Sequence, residues 1–452
     1  MTFAFSSCSV QKQISKSAKE IVLAAPALQT AHAGISIYEP ATGKYWYNYQ
    51  GEHYFVPASN TKIPTCYAAM KYLGDSLVTA YYTNDGEIVV SPNGDPTFLH
   101  PEYSYQPLFD FLKGNNVVRI CPPIFKTTSL GSGWSWNDYN ENYMVERSSM
   151  PIYGNIFRLS FIKDSLVITP TPRPFYLLPD QEYLFARKTD SGKTISNNQL
   201  KKSFYSIPFT IERRLNDNVF EVQRGSSYPS SFEIPIKTND QYNNYFFLKD
   251  TLGNPGLIIS TYCSQFDRSH QTYQYGRKKI IHSQPTDSLL KPMMHRSDNF
   301  FAEQALLMVS NERLGIMDDA KIIDTLLKTD FKDLPQKPRW VDGSGLSRYN
   351  LFSPQDFVAI LNKMKNEFGM ERIKVILPTG GEGTISSYYK SESGYIFAKT
   401  GTLSGVVAIS GFLYTKKNKL LIFSVLVNNH NNSATDVRRA VEKFLQGIRN
   451  KY

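Results

Sequence analysis

Apolar residues recur at helical spacing at Ile63, Tyr67, Met70 and Leu73, behind Pro57-Ala58-Ser59, so a helix is predicted from about Ser59 to Gly74. Upstream, residues 11–28 read as an amphipathic helix and His32 to Tyr38 alternates like a strand. Pro40 to Gly43 is a turn, and Lys44 to Gln50 is a second strand. From about Ser76 to Lys279 helical periodicity is scarce. Short strand-like runs replace it at Glu87–Val90, Val117–Ile120, Leu166–Thr169 and Val219–Val222, among many Tyr, Phe, Asn, Ser and Pro. Helices return at Asp287–Met294, Asn299–Arg313, Asp318–Leu327 and Pro354–Lys365. Strands follow at Tyr395–Lys399, Val406–Tyr414 and Leu420–Asn428, and a last amphipathic helix runs from about Ser433 to Ile448. The whole predicts an α+β fold: an antiparallel sheet flanked by helices, split by a large, mostly-β insertion over 81–280, with 21–80 and 281–452 forming the host domain.

A chain of 452 residues with 41% hydrophobic content can bury substantial cores. Its net charge of +10 is modest for that length. The longest basic run is Arg277-Lys278-Lys279, without the aromatic–basic alternation of a nucleic-acid groove, so no nucleic-acid partner is expected. No apolar run approaches the roughly 18–20 residues that cross a bilayer. Residues 1–20 read as a leader remnant or tether: Met1-Thr-Phe-Ala-Phe-Ser-Ser-Cys8 looks like the tail of an export leader ending in a lipobox-like Cys8. That predicts an exported protein, with lipidated Cys8 as its candidate membrane anchor. Cys66 falls on the inward side of its helix, and Cys121 and Cys263 can pair in an oxidising compartment. Seven scattered histidines form no cluster, so neither a metal nor another cofactor is expected. His53 reads as a hydrogen-bonded structural residue.

Candidate chemistry begins with Ser59-Asn60-Thr61-Lys62. Three residues apart at a helix start, Ser59 and Lys62 share a face, so an amine lies within reach of a hydroxyl that is a weak nucleophile on its own. Ser-x-x-Lys alone proves little, since it recurs at Ser9, Ser160, Ser288 and Ser387. Two later motifs add weight: Ser297-Asp298-Asn299 opens a helix, and Lys399-Thr400-Gly401-Thr402 ends a strand. Ser-x-x-Lys, Ser-x-Asn and Lys-Thr-Gly in this order form the motif set of β-lactamases and penicillin-binding proteins.

The flanking residues sharpen that resemblance. Phe55-Val-Pro-Ala-Ser-Asn-Thr-Lys62, Gly94-Asp-Pro-Thr97, Gly133-Trp-Ser-Trp-Asn-Asp138, Lys291 to Glu303, Val341-Asp-Gly-Ser-Gly-Leu-Ser347 and Ala398 to Gly405 resemble the penicillin-binding protein 4 group, low-molecular-mass class C D-alanyl-D-alanine carboxypeptidases and endopeptidases. The resemblance spans nearly all of the chain after residue 20 and is looser over 165–280. It implies a transpeptidase/β-lactamase-like domain carrying one inserted domain with a second nested inside it. It also implies peptidoglycan stem peptides and β-lactam antibiotics as partners, in the periplasm or outer cell envelope. The loop Trp134-Ser-Trp136-Asn137-Asp138 departs from the family pattern, which bears on side-chain specificity.

Chemistry and resemblance together give the roles expected. Ser59 attacks a D-alanyl amide and forms an acyl-enzyme, with neutral Lys62 as its base. Ser297 relays the proton to the leaving amine, and Asn299 orients the acyl chain and helps hold Lys62. Lys399 supplies positive charge near the substrate carboxylate and keeps Lys62 unprotonated by repulsion. The N–H groups of Ser59 and Thr402 form the oxyanion hole, while Thr400, Gly401 and Thr402 line the substrate. Blander readings stand beside these. Ser297 can simply cap its helix, Asp298 is structural, Asp342 to Ser347 is a turn beside the site, and Trp136 and Tyr143 are loop anchors. A serine β-lactamase and a non-catalytic peptidoglycan-binding scaffold are the alternative functions.

Overall fold

The computed structural model describes residues 4–84, 86–162, 165–170, 177–178, 210–223, 231–238, 242–253, 256–259 and 278–452. Its central sheet has strands β1 (His32–Glu39), β2 (Lys44–Tyr49), β3 (Ile396–Leu403), β4 (Val406–Tyr414) and β5 (Leu420–Asn428), ordered β3-β4-β5-β1-β2 and antiparallel throughout. The N-terminal hairpin is thus zipped onto the C-terminal strands, with Ile35 opposite Val425 and Ile37 opposite Phe423. The near-continuous apolar run Leu420 to Val427 follows from that position, because β5 is central and buried on both faces.

Alternation divides the core. On one face Phe412, Ile422 and Leu426 pack with helices α1 (Lys62–Tyr72), α2 (Asn299–Leu314) and α3 (Pro354–Ile376), through Ile63, Tyr67, Phe301, Leu306, Phe357 and Leu361. On the other face Ile35, Ile409, Phe423 and Val425 meet Val441, Phe444 and Leu445 of helix α4 (Ala434–Lys451). The N-terminal helix joins them through Ile14 and Ala18, and the turn after it through Val22.

The excursion from this domain leaves along strand Ser76–Asn84 and returns along Lys279–Pro285, and these two strands pair antiparallel, Ser76 with Pro285 and Tyr81 with Ile280. A long insertion that departs and returns side by side leaves its host sheet uninterrupted. Several elements differ from expectation. Helices Pro107–Lys113 and Tyr242–Leu252 lie in the stretch read as β. The helix read over 11–28 begins at Ala4 and ends at Ala18, followed by a π turn at Lys19–Leu23 and, at Pro26, a short 3₁₀ turn. Helix α3 runs eleven residues beyond Lys365, bent at Gly369 (φ +77°). Cys66 is fully buried, and Cys121 is disulfide-bonded; Cys263 lies outside the described residues.

Strand β3 also runs past Lys399, carrying Thr400-Gly401-Thr402 within the ladder to Leu403 before turning at Ser404-Gly405. A Thr-Gly pair reads as a strand end from sequence, but pairing with Val407 and Ala408 holds it extended. This strand sits close to its neighbour at Gly411, where an added Cβ would collide with the Phe397 carbonyl oxygen. Gly411→Ala is therefore expected to lower the unfolding free energy by about 1–3 kcal/mol. A denaturant titration showing a loss under about 0.5 kcal/mol would remove this account of the β3–β4 packing.

Candidate active site

The turn that carries Ser59 is built before its helix. Ala58 takes a left-handed conformation (φ +47°), Ala58–Thr61 form one 3₁₀ turn, and the α-helix proper starts at Lys62. A non-glycine residue there costs on the order of 1–3 kcal/mol and persists only where its surroundings dictate it. The dictating contact is Asn60, buried, whose Nδ2 donates to Ser410 Oγ at 2.7 Å; Ser410 in turn donates to Ser424 Oγ at 2.8 Å. A polar stitch through the sheet therefore pins the residue after the serine.

Lys62 is wholly buried, and its Nζ donates to Ser59 Oγ (3.0 Å), Asn299 Oδ1 (2.5 Å) and the Ser344 carbonyl (2.7 Å). Burial lowers its pKa from 10.5 to about 8, against the pull of the Asp342, Glu303 and Asp298 carboxylates. All three donors of an ammonium are engaged. Loss of one proton leaves the amine a lone pair at a distance from which it can accept the Ser59 proton.

Asp298, not Ser297, caps α2, accepting from the Phe301 N–H at 3.0 Å; the capping alternative for Ser297 is thereby excluded. Ser297 is held left-handed (φ +62°), and its Oγ accepts from Lys399 Nζ at 2.9 Å. Lys399 also donates to its neighbour's carbonyl, Thr400 O, at 2.7 Å. Its amine is buried and held well below the ordinary value by desolvation and then by the Lys62 charge. Burial is the larger cause at both amines, and the repulsion between them disfavours charging both at once.

Gly401 closes the figure. A Cβ there would lie 2.6 Å from Pro57 O and 2.9 Å from Ser59 N, so only glycine lets the strand lie against the serine turn. The three motifs thus meet: the first touches the second at Lys62–Asn299, the second touches the third at Ser297–Lys399, and the third touches the first at Gly401–Ser59. Thr400 and Thr402 point to the other face of the sheet, where Thr400 Oγ1 donates to Thr384 Oγ1 (2.7 Å) and Thr402 Oγ1 accepts from Arg438 (2.6 Å).

Several residues around this centre escaped the sequence reading. Glu303 Oε1 accepts from the Ser344 N–H at 2.7 Å, which aims the Ser344 carbonyl at Lys62. Asp342 accepts from the backbone of Gly345 and Ser347, the Asn350 side chain and Trp134 Nε1, so the turn beside the site is a rigid wall. Buried Arg147 ties both to the insertion: it donates to Glu303 Oε2 (3.2 Å), Asp319 Oδ2 (2.6 Å) and Thr128 O, and lies 5.5 Å from the Trp134 ring centre. Asn299 Nδ2 donates to the carbonyl of Tyr143 at 2.8 Å. Trp134 is consequently the loop anchor; Trp136, expected to be one, is 73% exposed, and His53 is exposed as well. Among the described residues no group of three or more His, Cys, Asp or Glu is placed to hold a metal ion.

A serine held against a buried amine on a helix-flanked antiparallel sheet is the arrangement of a serine acyl hydrolase. Residues 14–448 match the family model of the D-Ala-D-Ala carboxypeptidase 3 (S13) family, and the chain belongs to that family of serine-type carboxypeptidases. It is 24% identical to D-alanyl-D-alanine carboxypeptidase DacB of Haemophilus influenzae, over 90% of this chain and 87% of that protein. It is likewise 24% identical to a D-alanyl-D-alanine carboxypeptidase of Actinomadura sp. strain R39, over 92% and 81%. Its fold resembles the crystal structure of penicillin-binding protein 4 (dacB) from Haemophilus influenzae, with TM-score 0.67 and 20% identity, covering 96% of this chain and 98% of that one. That protein complexed with a β-lactam superposes with TM-score 0.64 at 17% identity, covering the same shares of the two chains.

The Lys62 environment sets a pH dependence. With its pKa near 8, the rate of acylation by a penicillin is expected to rise about tenfold per unit below pH 8 and level off above it. Stopped-flow labelling across pH 6–10 measures this, and a flat profile contradicts Lys62 as the base. Burial and then the Asp342 carboxylate push Glu303 itself up to about 7. Glu303→Gln removes a negative charge that favours the Lys62 ammonium, so the acid limb is expected to move to lower pH. Were the profile to stay in place while the rate fell, the role of Glu303 would be packing alone.

Proposed function

We propose that this enzyme hydrolyses peptidoglycan stem peptides through an acyl-enzyme on Ser59. The observation that carries the reading is the closed ring of contacts among the three motifs, with Lys62 Nζ on Ser59 Oγ. Lys62, once neutral, takes the Ser59 proton as Oγ bonds to the D-alanyl carbonyl carbon. When the tetrahedral centre collapses, the amide C–N bond breaks and Ser297, held by Lys399, passes its proton to the departing amine nitrogen and takes in its place the one that Lys62 holds, which leaves Lys62 neutral again. Water then attacks the ester, releasing the shortened peptide and restoring the Ser59 hydroxyl.

The N–H groups of Ser59 and Thr402 are the proposed oxyanion donors, each worth about 10²–10³ in rate where such donors have been removed. Gly401 supports this pairing, since its bare Cα lets the strand approach Ser59 N. Asn299 serves Lys62 through Oδ1, while its Nδ2 is engaged by Tyr143 O, so its part in holding the acyl chain requires that bond to be shared. β-Lactams acylate the same oxygen. We further propose that 81–280 forms the inserted unit, one part nested in the other, with 21–80 and 281–452 as host. The substrate class supports residence in the periplasm or outer envelope, and Cys8, on the helix Ala4–Ala18, is the proposed lipid attachment point.

Digestion of purified peptidoglycan, with products read by mass, tests the function. Release of terminal D-alanine, or loss of cross-bridges, is expected from the wild type and is reduced by at least about 10³-fold in Ser59→Ala. A fluorescent penicillin should leave a persistent label on Ser59. Rapid drug turnover without peptide cleavage would instead make the enzyme a β-lactamase, and binding without either reaction would make it a scaffold.

A further inference from the structure

The sheet face turned away from Ser59 is covered by α4 and by the N-terminal helix Ala4–Ala18. Ile14 and Ala18 bury one side of that helix. Lys12, Lys16 and Lys19, at helical spacing, are exposed on its outer side and line one open groove.

Three further lysines join them at the same end of the domain. The β4–β5 hairpin carries Lys416 and Lys417, whose N–H groups donate to the carbonyls of Arg449 and Tyr452 at 3.0 Å each, beside Lys451. The Tyr452 hydroxyl donates in turn to Gln13 Oε1 at 3.0 Å, and Gln11 Nε2 donates to the Tyr45 carbonyl at 3.1 Å. Hairpin, C-terminus and N-terminal helix are therefore stitched into one surface, and all six lysines on it are exposed. Carboxylates are few there. Glu20 reaches Lys16 at 3.8 Å, and Glu39 is buried and paired with Lys419 at 3.0 Å. Among the described residues the other five lysines have no carboxylate in ion-pair contact.

This pole is remote from the cleft. Strand β4 passes Gly401 at Ala408 and reaches the hairpin roughly 25 Å further on. Like charges gathered on one surface repel one another, and a partner of opposite charge relieves that repulsion. Ammonium groups are compact point charges without the planar fork that grips a single anion, and no aromatic residues alternate with them as in a nucleic-acid groove. They suit a broad, diffuse negative surface. Cys8, the lipid attachment point proposed above, belongs to the same helix, one turn before Lys12.

We propose that this pole is a docking surface for an anionic phospholipid leaflet, met by the N-terminal helix, the β4–β5 hairpin and the end of α4 while the Ser59 cleft faces away. The inference goes beyond the hydrolytic reading and depends on neither Ser59 nor acylation of Cys8. Each lysine brought to a charged leaflet adds about fivefold in affinity, and salt screens the attraction.

The full chain, carrying Cys8→Ser so that no attached lipid contributes, is sedimented with vesicles of phosphatidylcholine alone or with roughly one third phosphatidylglycerol. Binding is expected to the anionic vesicles only, and is lost between about 50 and 500 mM salt. Lys12→Glu/Lys16→Glu/Lys19→Glu and Lys416→Glu/Lys417→Glu/Lys451→Glu should each weaken it by at least about 30-fold. The same charge change at exposed Lys113, Lys321 and Lys332 should stay within about threefold. Circular dichroism should match the wild type in all three variants, and if one pole variant fails to fold the other decides. Penicillin labelling of Ser59 should hold within about twofold throughout; its absence from the wild type strikes the Ser59 reading and leaves the vesicle result standing. The proposal is overturned if neutral vesicles bind as well as anionic ones, if neither binds at low salt, or if the control variant weakens binding as much as the pole variants. It is also overturned if the pole variants lose binding to purified peptidoglycan but not to vesicles, which would give this surface to the cell wall.

Discussion

Two lysine amines are buried within one cleft, and most of the surrounding architecture follows from that constraint. An ammonium taken out of water is unfavourable by several kcal/mol unless it is hydrogen-bonded, countered or deprotonated. Lys62 meets the first two conditions in part. Three oxygens surround it, and three carboxylates lie close enough to favour its charge without touching it, which leaves the pKa near 8. Among the described residues no carboxylate offsets the burial of Lys399, which is held well below the ordinary value. One amine poised to change its protonation and a second that resists charge differ only in their neighbours.

Those neighbours come from distant parts of the chain, and the insertion is among them. Arg147 and Trp134 lie between the paired strands Ser76–Asn84 and Lys279–Pro285, yet Arg147 is buried against Glu303 of α2 and Trp134 donates to Asp342. The Tyr143 carbonyl fixes the Asn299 amide, which in turn presents Oδ1 to Lys62. The excursion is therefore more than an appendage that shapes the mouth of the cleft. Residues 134–147 of it help to hold Asn299 and Glu303 beside Lys62, so changes there can reach the Lys62 environment without touching Ser59.

Two of the nine left-handed non-glycine residues among the described residues fall in the same place. Ala58 and Ser297 are both left-handed non-glycine residues, one before the nucleophile and one within the second motif. Gly345 (φ +86°) abuts the Ala58 carbonyl, and Gly401 abuts Ser59 N, so glycines on the facing segments make room for the strained turn. Strain is tolerable where a dense set of contacts permits a single conformation, as the Asn60–Ser410–Ser424 stitch does here.

The sequence by itself determined a great deal. Period-two alternation placed the sheet strands, helical periodicity placed α1 and α2, and three short motifs in order marked Ser59, Lys62, Ser297, Asn299 and Lys399, because local propensity and motif chemistry are written within a few residues. What it left open was everything that depends on contact across hundreds of positions. The capping role of Asp298, the continuation of β3 through Gly401 and the anchoring of the aromatic loop by Trp134 rather than Trp136 are of that kind. So are the alignment of Ser344 by Glu303 and the approach of Arg438 to Thr402. Neither Glu303 nor Arg438 differs in type or spacing from any charged residue on a helix. Only the packed structure decided that one is buried near Lys62 and the other reaches Thr402 at the end of β3, since burial and charge pairing belong to the assembled interior and not to the residue.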